Sequence, residues 1–188
     1  MSIENKLKNM TIKQLHRVFH KVNVAYNSKM SRGELIQKLC GFFPKVEIYR
    51  STDPKFQKFA PRIKKLMKKC WGKDEIVSYP GYTWYIVLHQ QQVIAALAVD
   101  SDNIIWNLCT DPKFRSKGHA SLLIREVISD ICQKYNFIYL YVDNSGKNYE
   151  KLIKFYQSHG FEIPISTGIS YHSFLANALG ATLLQHVC

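Results

Sequence analysis

Arg115, Ser116, Lys117, Gly118, His119 and Ala120 form a short basic stretch between two apolar segments of different periodicity. Ahead of it, Ile104-Ile105-Trp106-Asn107-Leu108-Cys109 reads as a strand. Behind it, from Ser121 to Ile128, apolar residues recur at helical spacing. A strand, a glycine turn and a helix start in that order converge the unpaired amides of the helix N-terminus on one point. Such a point suits a phosphate group. Gly118 permits close approach of the backbone, and Arg115 and Lys117 add positive charge. The chemistry expected here is anion binding by the main chain from Arg115 to Ala120.

The elements that position this turn read as follows. Lys45–Arg50 has strand alternation, and Asp53 to Trp71 has the pattern of a basic amphipathic helix that Pro61 should kink or split. Tyr82–His89, Gln92–Val99 and Ile104–Cys109 form a meander with turns at Gln90-Gln91 and Asp100-Ser101-Asp102. A helix from Ala120 to Lys134 leads to a strand Phe137–Val142. A helix from Tyr149 to Ser158 leads to a strand Phe161–Ile163. The tail reads as a last strand from Ser170 to Phe174 followed by a short apolar helix. Ahead of all this, residues 5–43 read as two helices joined by a loop around Asn23–Met30. Thr11 is placed to cap the segment beginning at Ile12, and Ser31 with Glu34 forms a capping-box pattern. Gly41 should end the second helix, and Pro44 marks the boundary.

Two motifs at matching distance carry a family resemblance. The first is Arg115-x-x-Gly118-x-Ala120 behind a strand that ends in Asp111-Pro112. The second is Phe155-Tyr156-Gln157-Ser158-His159-Gly160-Phe161. With the order β-α-βββ-α-β-α-β from Lys45 onward, this resembles the GNAT superfamily of N-acetyltransferases over about 140 residues. The resemblance implies an α/β (α+β) domain, residues 45–188, with a mixed central sheet and flanking helices. It implies acetyl-CoA as acetyl donor and an amine as acceptor. Main-chain groups of Leu108 and Thr110 would hold the pantetheine arm, and Arg115, Ser116, Lys117, Gly118, His119 and Ala120 the pyrophosphate. Asn144 and Asn148 would touch the same ligand, although the spacing of Asn148 to Tyr156 is one residue off the family pattern. Tyr156 matches the proton donor to the departing thiolate. A phenol of pKa about 10 serves a thiolate of pKa about 8.5 when the site preorganises it. Many members carry Glu on the preceding strand where this chain has Trp106, so the base has to come from elsewhere. Asp100, Asp102 and His172 are candidates, with Asp100 and Asp102 also suited to capping a turn. His119 and His159 read as structural.

Residues 1–44 hold eight Lys/Arg against two Asp/Glu, residues 45–75 ten against four, and residues 76–188 eight against eight. The whole excess of +12 therefore lies in the first 75 residues. An acidic partner, nucleic acid before membrane, fits that polarity; a solubilising lysine surface is the alternative. Residues 1–43 also resemble the small SAP and Rho-N helical modules that bind DNA or RNA, or else form a hairpin packed on the main domain. Acceptors expected on these grounds are lysines of a nucleic-acid-associated protein, with small-molecule amines as the alternative. Five scattered cysteines without a C-x-x-C pair favour reduced thiols in an intracellular compartment, with no metal site. No apolar run reaches the roughly 18 residues of a membrane span, and the polar N-terminus lacks the apolar core of a signal peptide.

Overall fold

The computed structural model describes residues 3–22, 24–72, 81–164 and 171–188. It contains two compact units, residues 1–45 with 89–92 and residues 46–88 with 93–188.

The N-terminal unit holds three helices, α1 (Ile3–Lys8), α2 (Ile12–Val22) and α3 (Arg32–Phe42), where the sequence suggested two. The break falls at Asn9-Met10 because Thr11 and Gln14 form a reciprocal cap. Gln14 N donates to Thr11 Oγ1 at 3.3 Å, and Thr11 N donates to Gln14 Oε1 at 2.8 Å. Ser31 and Glu34 make the second box. Helix α3 runs through Gly41 and is capped by Phe43 instead of ending at the glycine. Asn23, in the expected loop, lies outside the described residues. Leu7, Leu15, Phe19, Leu35 and Leu39 form the small core of this unit.

The larger unit is built on a seven-stranded sheet in the order β1-β2-β3-β4-β5-β7-β6. Its strands are β1 (Lys45–Arg50), β2 (Thr83–His89), β3 (Gln92–Val99), β4 (Ile104–Thr110), β5 (Phe137–Asp143), β6 (Phe161–Glu162) and β7 (Ala181–Val187). One face is covered by α4 (Ala60–Trp71), whose Ile63, Leu66 and Met67 pack with Trp84, Ile86 and Cys109. The other face is covered by α5 (His119–Ile131) and α6 (Tyr149–Gln157) through Leu123, Ile124, Val127 and Tyr156. The expected helix from Asp53 is split. A 3-10 turn occupies Phe56–Lys58, and Pro61 stands in the first turn of α4, where its missing N–H costs no bond.

Two further expectations are overturned. The tail is a helix first, α7 (Tyr171–Ala178), and then a strand, β7, the reverse of the sequence reading; Ser170 lies outside the described residues. Strand β7 exists because it pairs with β5 along its whole length, from Ala181 opposite Asp143 to Val187 opposite Phe137. Pairing with a strand about forty residues away leaves no local signature. That same ladder carries Cys188 to the end of α5, where it forms a disulfide with Cys132. The expectation of five reduced thiols is thus corrected; Cys40, Cys70 and Cys109 are free.

Candidate active site

Strand β4 supplies the first part of the site by parting from β5. The parallel pairing covers only Ile104 with Tyr139 and Ile105 with Leu140. Beyond it, Asn107 has φ +59°, and the register against β3 shifts so that Leu97 faces both Asn107 and Leu108. A bulge of this kind bends the strand and re-aims its groups. Cys109 pairs with Ala96, and Asp111 N donates to Ile94 O at 2.8 Å. The alternation of an antiparallel ladder therefore turns the Thr110 main chain away from β3. Its carbonyl accepts Arg115 Nε at 3.2 Å and the Cys70 thiol at 3.4 Å. Leu108 sits at the bulge and packs toward the α5 and α6 side. The Asn107 side chain is buried there, and its Nδ2 has no partner among the described residues.

The loop after β4 is held from below. Asp111 is buried, caps the turn Pro112–Phe114 by accepting Lys113 N at 3.0 Å, and takes Lys69 Nζ at 2.7 Å on both oxygens. Burial pushes its carboxyl up, but the Lys69 bond, the Lys113 amide and both lysine charges outweigh that and hold it below the ordinary value. Ser116 at φ +59° and Gly118 at φ +80° bring the chain onto α5 in left-handed conformations. Such alternation gathers successive amides into a concave nest. Gly118 is the N-cap residue, and no side chain caps the helix start. Residues 115 to 118 are exposed, Ala120 is half-buried, and His119 is buried beside Phe114. Lys117 lies over the Phe114 ring.

Beneath this loop sits a thiol pair that no sequence signal indicated, because α4 and β4 bring Cys70 and Cys109 together from 39 positions apart. A hydrogen bond from Cys109 lowers the Cys70 pKa to about 6. Burial and the Asp111 charge act against this, and Arg115 adds to the lowering. The Cys109 thiol shifts the opposite way.

The remaining residues line up along β5 and its neighbours. Tyr156 is buried between Phe155 and Phe161, and burial raises its phenol well above the ordinary value. Its hydroxyl bonds to no group among the described residues. Asn144, just past β5, accepts Thr182 Oγ1 at 2.6 Å, and the Thr182 oxygen also meets the Tyr149 hydroxyl at 2.8 Å. Asn148 is exposed at the start of α6, and its side chain makes no cap. Asp100 is consumed by its own turn. Its carboxylate accepts Asp102 N and Ile104 N at 2.9 Å and the Trp106 indole at 2.7 Å. Asp102 is exposed in the same turn. His172 of α7 stacks on Tyr139 with ring centres 4.1 Å apart, and its Nδ1 lies 3.0 Å from the Tyr141 hydroxyl. Tyr141 neighbours Trp106 at 5.9 Å, at the level where β4 and β5 part. His159 is tied to its helix end through Phe155 O.

Residues 80–163 match the family model of the acetyltransferase (GNAT) domain. No curated protein matches the chain. Among solved structures it is similar to the ribosomal-protein-S18-alanine N-acetyltransferase of Escherichia coli, at 12% identity and a TM-score of 0.57, over 77% of this chain and 94% of that one. The PaiA N-acetyltransferase of Thermoplasma acidophilum, in complex with coenzyme A, aligns at 12% identity and a TM-score of 0.53, over 77% and 99%. A GNAT family acetyltransferase of Elizabethkingia anophelis with acetyl-CoA bound aligns at 18% and 0.54, over 77% and 98%. The larger unit has the fold of these structures.

Proposed function

We propose that the chain is an acetyl-CoA-dependent N-acetyltransferase. The observation that carries this reading is the uncapped start of α5, fed by left-handed Ser116 and Gly118, at the end of a strand that has left its neighbour. A helix N-terminus with converging amides and flanking Arg115 and Lys117 fits a pyrophosphate. The gap between β4 and β5 fits the arm attached to it, along the main chain of Leu108 and Thr110. A buried donor without a partner costs about 1–3 kcal/mol, and Asn107 Nδ2 at the bulge would be satisfied by a carbonyl of that arm. Asn144, past the end of β5, and Asn148, at the start of α6, are assigned to the same ligand on the family resemblance.

Bound acetyl-CoA supplies a thioester, the acyl group to be transferred. Tyr156, kept protonated by burial, donates its proton to the sulfur that leaves. The proton of the incoming ammonium passes to His172, which Tyr139 and Tyr141 hold in place. The acceptor proposed is a lysine of a nucleic-acid-associated protein, because the excess charge lies in residues 1–75, with residues 1–43 as a SAP- or Rho-N-like arm. One observation favours a second reading, a nucleic-acid-binding protein with weak catalysis. Trp106 stands where an acid is common, and its indole is bound to Asp100.

Calorimetry with acetyl-CoA, followed by transfer of labelled acetyl to a lysine peptide and to free amines, separates these readings. Binding with transfer to the peptide supports the first, and transfer only to small amines moves the acceptor. Binding without any transfer selects the second. Absence of acetyl-CoA binding refutes both.

A further inference from the structure

Helix α4 presents a strongly basic outward face. We propose that its outward face docks the phosphate backbone of a nucleic-acid duplex. This deepens the nucleic-acid part of the function above and assigns to α4 a contact first attributed to residues 1–43.

Ile63, Leu66 and Met67 are buried against the sheet, and Arg62, Lys64, Lys65, Lys68 and Lys69 are exposed. At about 100° per residue these five cations fill an arc of about 160° opposite the buried side. No Asp or Glu occurs between Ala60 and Trp71. Lys69 is held by Asp111, whereas Lys64, Lys65 and Lys68 have no carboxylate partner among the described residues. Arg62 and Lys65, Lys64 and Lys68, Lys65 and Lys68, and Lys65 and Lys69 are neighbours on the helix surface, so like charges repel at four places. Arg62 in the first turn also opposes the helix dipole. The helix is built against its own local electrostatics, and a polyanion relieves that repulsion.

The pattern favours a duplex over a single strand. Single strands are held by aromatic side chains on which bases stack. Among the exposed side chains of α4 the one aromatic is Trp71, at the C-terminal end. A helix of twelve residues is about 18 Å long, a length over which a duplex presents about ten phosphates. Within the N-terminal unit, by contrast, two cations serve the fold. The Arg32 guanidinium donates to the carbonyls of Met10 and Lys8, and Lys8 pairs with Glu4. Lys13, Arg17 and Lys21 on α2 remain exposed there.

The test uses the full chain and a fluorescent DNA duplex of about 24 base pairs, between about 50 and 200 mM salt. One variant carries Lys64→Gln, Lys65→Gln and Lys68→Gln; a second carries Lys13→Gln, Arg17→Gln and Lys21→Gln. Each neutralised phosphate adds about 0.9 to the slope of log K against log salt, so the α4 variant should lose up to about 2.7 of that slope. It should bind at least about tenfold more weakly at low salt, and the α2 variant within about threefold of the parent. Removal of like charges leaves the α4 variant melting at or above the parent temperature, which verifies its fold. The proposal is overturned if the parent does not bind the duplex, or if the α4 variant binds like the parent. It is equally overturned if the α2 variant accounts for the loss, or if poly-glutamate binds as tightly as DNA. Acetyl-CoA affinity measured on the same preparations tells a failed docking surface from a failed acetyltransferase reading.

Discussion

Replacing Gly118 with Asp tests the phosphate site without breaking the fold. Gly118 has φ +80°, and a Cβ placed there meets no heavy atom within 4 Å. The steric cost is therefore confined to the left-handed backbone, about 1–2 kcal/mol. This left-handed backbone is not the extended one from which an N-cap carboxylate reaches the free amides, so stability should fall by no more than about that 1–2 kcal/mol. Binding should change far more. A carboxylate about 6 Å from a phosphate charge, at an effective dielectric constant of about 20, is repelled by about 3 kcal/mol. That corresponds to about a hundredfold loss of acetyl-CoA affinity, read by calorimetry at low salt. Gly118→Asn tolerates the same backbone without the charge and should stay within about tenfold of the parent. Raising the salt should narrow the gap between Asp and Asn variants. If the Asp variant is folded and binds within about threefold of the parent, the anion does not sit at this helix start. If Asn and Asp lose equally, backbone shape and not charge was responsible.

Tyr156→Phe should lower the turnover number about a hundredfold while leaving acetyl-CoA affinity and melting temperature unchanged, since the hydroxyl bonds to no described group. Because burial raises this phenol, the parent pH–rate profile should show no fall from Tyr156 below about pH 10. His172→Ala should reduce turnover by a similar factor of about a hundred and regain part of it with added imidazole; unchanged turnover removes His172 from the proton path. Alkylation of Cys70 by iodoacetamide should rise through about pH 6 and level off above it, where an ordinary thiol still climbs. Arg115→Gln should move that midpoint upward, because the guanidinium favours the thiolate. Cys188→Ser opens a loop closed across 56 positions, worth about 4 kcal/mol by chain entropy. The melting temperature should fall about 10 °C, with reductant reproducing the loss in the parent and adding nothing to the variant.

Much of the site was legible because its signals are local. Gly118 and its basic neighbours, the alternation of β2 to β4, the cap at Thr11 and the capping box at Ser31 each lie within a few residues. The Asp100 turn was also legible, although its bond to the Trp106 indole was not. Other parts were hidden because their cause is distant. Helix α1 ends where the Arg32 guanidinium, 22 and 24 positions away, takes the carbonyls of Met10, just beyond it, and of Lys8, its last residue. The tail was read in reverse because β7 is a strand only by virtue of β5. The Cys132–Cys188 disulfide follows from that pairing, and counting cysteines pointed the other way.

The chain by itself determined a strand, a basic glycine turn and a helix from Ile104 onward, and with them the expectation of an anion at the turn. Backbone geometry and free amides are properties of adjacent residues, so adjacency suffices to read them. Tertiary structure alone decided that β4 leaves β5 at Asn107, and that Cys70 lies under the Thr110 carbonyl. It likewise decided that His172 stacks on Tyr139 beside Tyr141, while Asp100 is spent on its own turn. These are contacts between elements far apart in sequence, and their energies come from packing and pairing that no local window contains.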